Sequence, residues 1–186
     1  QPGLTEFGRT AVQIMNEKNM IVDVSHSAPQ TIIDALETTT KPLLNSHSGA
    51  RAIADKPQNL FDDQIRSMAD NGGVIGIHFC SRLVLGVNGV QAVIDDVIKQ
   101  ILYVSNIGGI DVVGLGPDWM LGDPFRDPLY LRNTNQEDLT WTSGLENSAE
   151  LSNLWGPLAE AGFTNNEIEK IAGGNLLRMF KAVLPG

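Results

Sequence analysis

The 186-residue sequence has one cysteine, three histidines and few aromatic residues (6%). A lone Cys80 cannot close an internal disulfide, so no disulfide framework carries the fold. At the end of an apolar run it reads as a buried, unreactive thiol. Positive charge is scarce as well: 13 Lys and Arg stand against 22 Asp and Glu, a formal net charge of −9. The basic residues are scattered singly with no stripe, which argues against nucleic acid as a partner. No apolar run approaches the roughly 20 residues of a bilayer-spanning helix. No secretory leader is legible either, because Gln1-Pro2-Gly3 leads straight into a helical pattern. The compartment stays open. With no initiating Met, a processed product or a portion of a longer chain is the expectation. No repeat or low-complexity segment appears.

What is present is ordinary globular composition, 42% hydrophobic and 19% charged, enough for one sizeable core. Leu4, Phe7, Ala11 and Ile14 recur at helical spacing, so residues 4–18 read as a helix. Residues 20–25 (MIVDVS) read as a strand. Ser27-Ala28-Pro29-Gln30 has the pattern of a capping box with Ser27 as N-cap, opening a helix to Thr38. A second strand is expected over 42–46, and a third helix after Asn59 with Leu60, Ile65 and Met68 on its apolar side. Gly72-Gly73 precedes a third strand over 74–79. Residues 90–105 read as a long helix with Val90, Val93, Val97, Ile101 and Val104 on its apolar face. Gly108-Gly109 then leads to a fourth strand over 111–116. Residues 121–143 have no period and read as a long loop, a type that is commonly functional. Two helices close the chain, 147–160 and 165–183, the second opened by a capping box at Thr164-Asn165-Asn166-Glu167. Strands alternating with helices imply a parallel sheet with helices outside it. Four strands suit either a small open sheet or half of an eight-stranded barrel.

The polar residues at the strand ends carry the chemistry. All three histidines fall there: His26 after the first strand, His47 after the second, His78 near the end of the third. Asp118 follows the fourth. In parallel α/β architectures that edge is where sites are built. A lone histidine in such a place is usually a hydrogen-bonded core or loop residue. Three imidazoles converging with a carboxylate suit Zn²⁺ instead, with the carboxylate able to carry a proton of a metal-bound water.

Several blocks in order resemble the membrane (renal) dipeptidase family. They are Val22-Asp23-Val24-Ser25-His26-Ser27, Ser46-His47-Ser48-Gly49-Ala50-Arg51, Gly72-Gly73-Val74-Ile75-Gly76, Val113-Gly114-Leu115-Gly116-Pro117-Asp118, Gly144-Leu145-Glu146 and Gly173-Gly174-Asn175-Leu176-Leu177-Arg178-Met179-Phe180. The resemblance runs from Gly3 to about Val183. It implies the C-terminal half of a (β/α)8 TIM barrel of the amidohydrolase kind, residues 1–186 forming part of one barrel domain. It implies a two-zinc peptidase site in which His26 and His47 ligate one zinc and Asp118 shuttles the proton. The implied substrate is a dipeptide or related amide.

The family also supplies a His-x-Asp pair from its first strand and a bridging Glu from its third. Both align upstream of this sequence. The N-terminal half of the barrel is therefore an expected partner, and a homodimer is compatible with the same reading. Where many relatives have a substrate-binding Arg before the residue matching Asn59, this chain has Gln58. Where they commonly read Asp-Phe-Asp-Gly, it has Asp118-Trp119-Met120-Leu121, followed by a longer loop. Gln58, His78 (usually Asn in relatives) and Trp119 are thus expected to face the substrate, in an altered pocket. Two alternatives remain at this stage: a metal-dependent hydrolase of lactones or non-peptide amides, and a non-catalytic remnant that cannot assemble the metal pair. Asp23, of opposite strand parity to His26, is expected to face the helices and make structural hydrogen bonds. Arg178, Trp155 and Phe180 are expected to be structural.

Overall fold

The structure is a computed structural model and describes residues 2–87, 89–119 and 140–185. Three parallel strands, β1 (Leu44–Ser48), β2 (Val74–Ile77) and β3 (Val113–Leu115), lie side by side in that order. Four strands were expected, and the segment 20–25 is the correction: it contributes a single parallel bridge, Asp23 to Leu44. Val24 N donates to Leu44 O (2.8 Å) and Leu44 N donates to Val22 O (3.0 Å). The ladder stops there for two reasons. Ser25 N donates to Asp23 Oδ1 (2.9 Å) rather than to a strand neighbour, and His26 turns into the left-handed region (φ 61°).

Helices cover the crossovers. α1 (Glu6–Glu17) is capped by Thr5, whose side chain accepts from Gly8 N. α2 (Pro29–Thr38) starts one residue later than the Ser27 capping box implied, with Ala28 as N-cap and no side-chain cap. Pro29 explains this: at the first helical position it brings a fixed φ and no N–H to satisfy. Gln30 bonds Asp34 Oδ1 instead (2.9 Å). α3 (Asp62–Asp70) is opened by Gln64, whose Oε1 accepts from Phe61 N (3.0 Å), and it buries Ile65 and Met68. A short α4 (Ser81–Leu85) follows β2.

α5 (Ile94–Gly108) begins four residues later than expected, because Asp96 Oδ2 accepts from Val93 N (3.1 Å) and caps the helix there. Val97, Ile101 and Val104 are buried as the periodicity requires. Val90 and Val93 lie ahead of the helix and are half exposed (51% and 50%), against expectation.

Each of the two closing helices is broken into pieces. A 3-10 stretch, Ser148–Leu154, runs into α6 (Trp155–Glu160). α7 (Asn165–Glu169) passes through a π turn, Lys170–Gly174, into α8 (Asn175–Val183), with Gly173 leaving helical geometry at the junction. The Thr164–Glu167 capping box forms as read: Thr164 N donates to Glu167 Oε2 (2.8 Å) and Glu167 N to Thr164 Oγ1 (3.3 Å).

The middle strand β2 is buried along its whole length, whereas β1 is fully buried only at Asn45 and Ser48. Leu43, Ile75, Ile77 and Phe79 share one buried cluster with Met68, Ile101, Leu145 and Leu154. Gly76 and Gly116 are required at their positions, since the Ser46 carbonyl oxygen occupies the space a Cβ at either would need. Much of the long loop expected over 121–143, with Met120 and Leu121, lies outside the described residues. Its last part rejoins the end of β2, where Thr142 N and Oγ1 both donate to Phe79 O (2.9 and 2.8 Å). Arg178 ties α8 to the sheet's other end through Gly72 O and Asp111 O (2.9 and 2.8 Å).

Candidate metal centre

The sheet delivers all four chemistry-bearing residues to its C-terminal edge. His26 follows the bridge segment, His47 sits in β1, His78 comes directly after β2, and Asp118 lies three residues beyond β3. Parallel strands point the same way, so their ends converge.

His47 owes its position to an irregularity. Asn45 pairs with Ile75 and Ser48 with Ile77, so β1 spends one residue more than β2 between the two pairs. Such a bulge re-aims side chains, and the strict in–out alternation is lost at Ser46 and His47. Both His26 (φ 61°) and Asp118 (φ 55°) are left-handed, two of the three described non-glycine residues that are. His and Asp tolerate this conformation better than most, at roughly 1–2 kcal/mol. From these two points the side chains reach the neighbouring imidazoles while staying exposed to solvent.

The rings meet. His26 Nε2 lies 2.8 Å from His47 Nε2. The His47 and His78 rings sit edge to face at 5.5 Å between centroids. Asp118 Oδ2 is 4.0 Å from His47 Nε2 and 3.4 Å from His78 Nε2.

The outer partners dictate which ring nitrogen of His47 faces inward. Asp23 accepts hydrogen bonds from Ser25 N (2.9 Å), Ser46 N (3.1 Å) and Ser46 Oγ (2.6 Å). A carboxylate only accepts, so the Ser46 hydroxyl proton is spent on Asp23. Ser46 Oγ, 2.8 Å from His47 Nδ1, then accepts the Nδ1–H, and the lone pair of His47 is left on Nε2. Burial works to raise the Asp23 pKa, but the hydrogen bonds from Ser46 and Ser25 outweigh it and hold the carboxyl below its ordinary value. Asp23 does make structural hydrogen bonds, and through Ser46 they reach the site. Neither Ser25 nor Ser46 was singled out by sequence, since serine beside a histidine carries no periodic signal.

Gln58 stands against His26, with Nε2 3.0 Å from Nδ1 and 3.2 Å from Nε2. Its loop is held in place from below. Asn59 Nδ2 donates to Ala54 O and Leu83 O (2.8 and 2.9 Å), and Gln100 Oε1 accepts from Ala50 N (2.7 Å). A cavity of about 620 Å³ opens beside His26, bordered by Ser27, Gln30, Arg51 and Pro57.

His78 is 4% exposed, and its Nδ1 accepts from Cys80 N (2.7 Å). Burial pushes its pKa down, against the pull of Asp118. The His78 N–H in turn is the largest influence holding Asp118 below the usual carboxylate range; burial opposes it, and His47 assists. Trp119 stacks edge-on against Phe79 (5.7 Å, 72°), and its indole N–H donates to Leu145 O (2.9 Å). Cys80 is buried as expected, which raises its thiol pKa.

Two imidazole Nε2 atoms converging on one point are a donor pair suited to zinc. Two nitrogens bound at about 2.0–2.1 Å to one tetrahedral zinc stand about 3.3 Å apart. Seating an ion therefore needs His26 and His47 to part by roughly half an ångström. It also needs the His26 proton on Nδ1, which a half-turn of the Gln58 amide supports by presenting Oε1. Among the described residues no group of three or more His, Cys, Asp or Glu side chains could hold a metal ion. The fit is thus to part of a coordination sphere.

An α/β protein with parallel strands and a histidine-lined C-terminal sheet edge is the class these observations define. The sequence model of the membrane dipeptidase family, peptidase family M19, matches residues 1–184, and the chain belongs to that family. An uncharacterized dipeptidase of Schizosaccharomyces pombe is 32% identical over 180 residues, covering 96% of this chain and 40% of that protein. An amidohydrolase structure from Pseudomonas aeruginosa superposes with a TM-score of 0.86 at 28% identity, covering 97% of this chain and 57% of that one. A metallopeptidase from Rhodobacter sphaeroides, solved with a phosphinate mimic of the dipeptide L-Ala-D-Ala, shares the fold. Its TM-score is 0.84 at 22% identity, covering 98% of this chain and 48% of the other. The chain spans about 40% of the length of the curated relatives it matches.

Proposed function

We propose that this chain supplies the C-terminal half of a (β/α)8 barrel in a zinc-dependent dipeptidase. In this reading His26 and His47 bind one zinc of a pair through their Nε2 atoms. The remaining ligands come from the N-terminal half of the barrel. The observation that carries the reading is the 2.8 Å approach of the two Nε2 atoms with the Asp118 carboxylate 4.0 Å from one of them.

A bound zinc pair supplies an activated water and polarises the scissile carbonyl. The chain's own residues do the rest. Ser46 and Asp23 keep the His47 proton on Nδ1, so that Nε2 is available as a ligand. Asp118, its carboxylate further stabilised by His78, takes a proton from the attacking water on a carboxylate oxygen and returns it to the departing amine. Both neighbouring imidazoles approach Oδ2, so Oδ1 is the oxygen assigned to that transfer. Trp119, its N–H engaged by Leu145 O, offers the substrate only its ring. Gln58, with Oε1 turned to His26, offers the substrate its amide N–H. With a neutral amide where relatives often hold a guanidinium, it makes a weaker anchor for a substrate carboxylate.

The test uses the protein at its full natural length. Zinc content and hydrolysis of a dipeptide panel are measured for the parent and for His47→Ala and Asp118→Asn. His47→Ala is expected to lose zinc and hydrolysis together. Asp118→Asn is expected to keep zinc and lose about 10²–10⁴-fold in kcat. Undiminished dipeptide hydrolysis by His47→Ala overturns the reading.

A further inference from the structure

The three site histidines are not equivalent. His47 has its lone pair directed inward, at Nε2. His78 is built the other way round. Its Nδ1 accepts the backbone N–H of Cys80 at 2.7 Å, and a backbone N–H can only donate. Nδ1 must therefore carry the lone pair, which leaves the ring proton on Nε2. That nitrogen lies 3.4 Å from Asp118 Oδ2.

The arrangement is rigid. His78 is almost wholly buried, and its own backbone N–H is tied to Ser48 O (2.8 Å). Cys80 is held on both sides: its N–H by His78, its carbonyl by Leu83 N and Val84 N (2.9 and 3.1 Å). Turning the ring over would leave the buried Cys80 N–H without its acceptor, a loss of the kind proteins avoid.

We infer that His78 is a positioning residue for Asp118: an imidazole locked by Cys80 as an Nε2–H donor, which orients the carboxylate and takes no metal. A histidine in this cluster is otherwise an obvious candidate for a third zinc ligand, and the tautomer rules that out, because a neutral Nε2–H has no lone pair to give. In this chain His78 gives Asp118 a fixed neighbour. Its backbone is left-handed (φ 55°) and its side chain is half exposed, so local packing alone does not fix it. The inference rests on the proposed role of Asp118 and adds to it the group that aims it.

Two substitutions separate the two ring nitrogens. His78→Asn keeps an acceptor near the Nδ1 position for Cys80 N–H and removes the donor that reaches Asp118. His78→Gln places an amide N–H near the Nε2 position. In the natural-length protein, His78→Asn is expected to keep the zinc content, the zinc affinity in chelator competition and the KM of the parent. Its kcat is expected to fall on the order of 10- to 100-fold, as displacement of a reacting group by about an ångström does. His78→Gln is expected to recover part of that loss. Loss of zinc in His78→Asn overturns the inference in favour of a ligand, and unchanged kcat overturns it in favour of an idle core histidine. A second readout needs no activity. In a spectrum of the ¹⁵N-labelled imidazoles, His78 is expected to show a protonated Nε2 and a bare Nδ1, and the reverse tautomer overturns the inference. The spectrum also decides the case where His78→Gln fails to fold. A protein that binds no zinc and hydrolyses no dipeptide defeats the proposed function, whereas the tautomer of His78 is read independently of both.

Discussion

His47 and His78 stand at the ends of adjacent strands, and their environments assign them opposite protons. Ser46 gives His47 an acceptor for Nδ1–H, while Cys80 gives His78 a donor to Nδ1. Outer partners of this kind typically weigh 10–100-fold in metal affinity. Ser46→Ala is therefore expected to weaken zinc binding by about that factor in chelator competition while leaving the melting temperature within a few degrees; unchanged affinity contradicts the relay. Asp23, the far end of the relay, gives a pH signature. Its folded-state pKa is below the unfolded one, so the unfolded chain binds the extra proton in between. The stability it contributes is whole above its unfolded value of about 3.9 and is lost as pH falls through the folded value. Asp23→Asn should remove that part of the acid limb of an unfolding-against-pH curve, and an unaltered limb argues against it. At this scale the sequence was informative where a residue type was rare. The gathering of three histidines and Asp118 at one sheet edge was legible, although His26 follows a bridge and not a strand. Ser46, Ser25 and the Cys80 amide were not, because their roles come from a one-residue bulge in β1 and from a backbone N–H, which no residue pattern announces.

The elements show where periodicity sufficed and where capping chemistry overrode it. The helix expected from residue 90 starts at Ile94, because Asp96 caps Val93, and a hydrophobic count has no way to see that bond. The Thr164 box, by contrast, was legible because both partners are side chains at fixed offsets. Thr164→Ala is expected to cost about 1 kcal/mol in thermal or denaturant unfolding, and no loss would mean that α7 is held by packing alone. The segment 20–25 has the composition of a strand but forms one bridge, since Ser25 N turns to Asp23 and His26 leaves extended geometry. Gly76 sets the closeness of the sheet. Gly76→Ala drives a Cβ into the Ser46 carbonyl, next to His47, and is expected to abolish soluble folded protein in a solubility assay. A variant that folds and keeps the parent's melting temperature contradicts that account of the sheet.

For the molecule as a whole, alternation of strand and helix made the parallel α/β class legible, and the family blocks ran through nearly the entire chain. Half of a barrel was not derivable from spacing; the 40% span of the curated relatives is what supports it. The 186-residue chain by itself is expected to hold less than one zinc, and the natural-length protein two. Equal zinc content in both would place the whole centre within this chain.

The most direct test is anomalous X-ray scattering at the zinc edge from crystals of the natural-length protein. The account predicts a peak about 2.0–2.1 Å from the Nε2 atoms of both His26 and His47, with His78 Nε2 outside the coordination sphere. A map with no zinc between His26 and His47, or with zinc bound to His78, would contradict it.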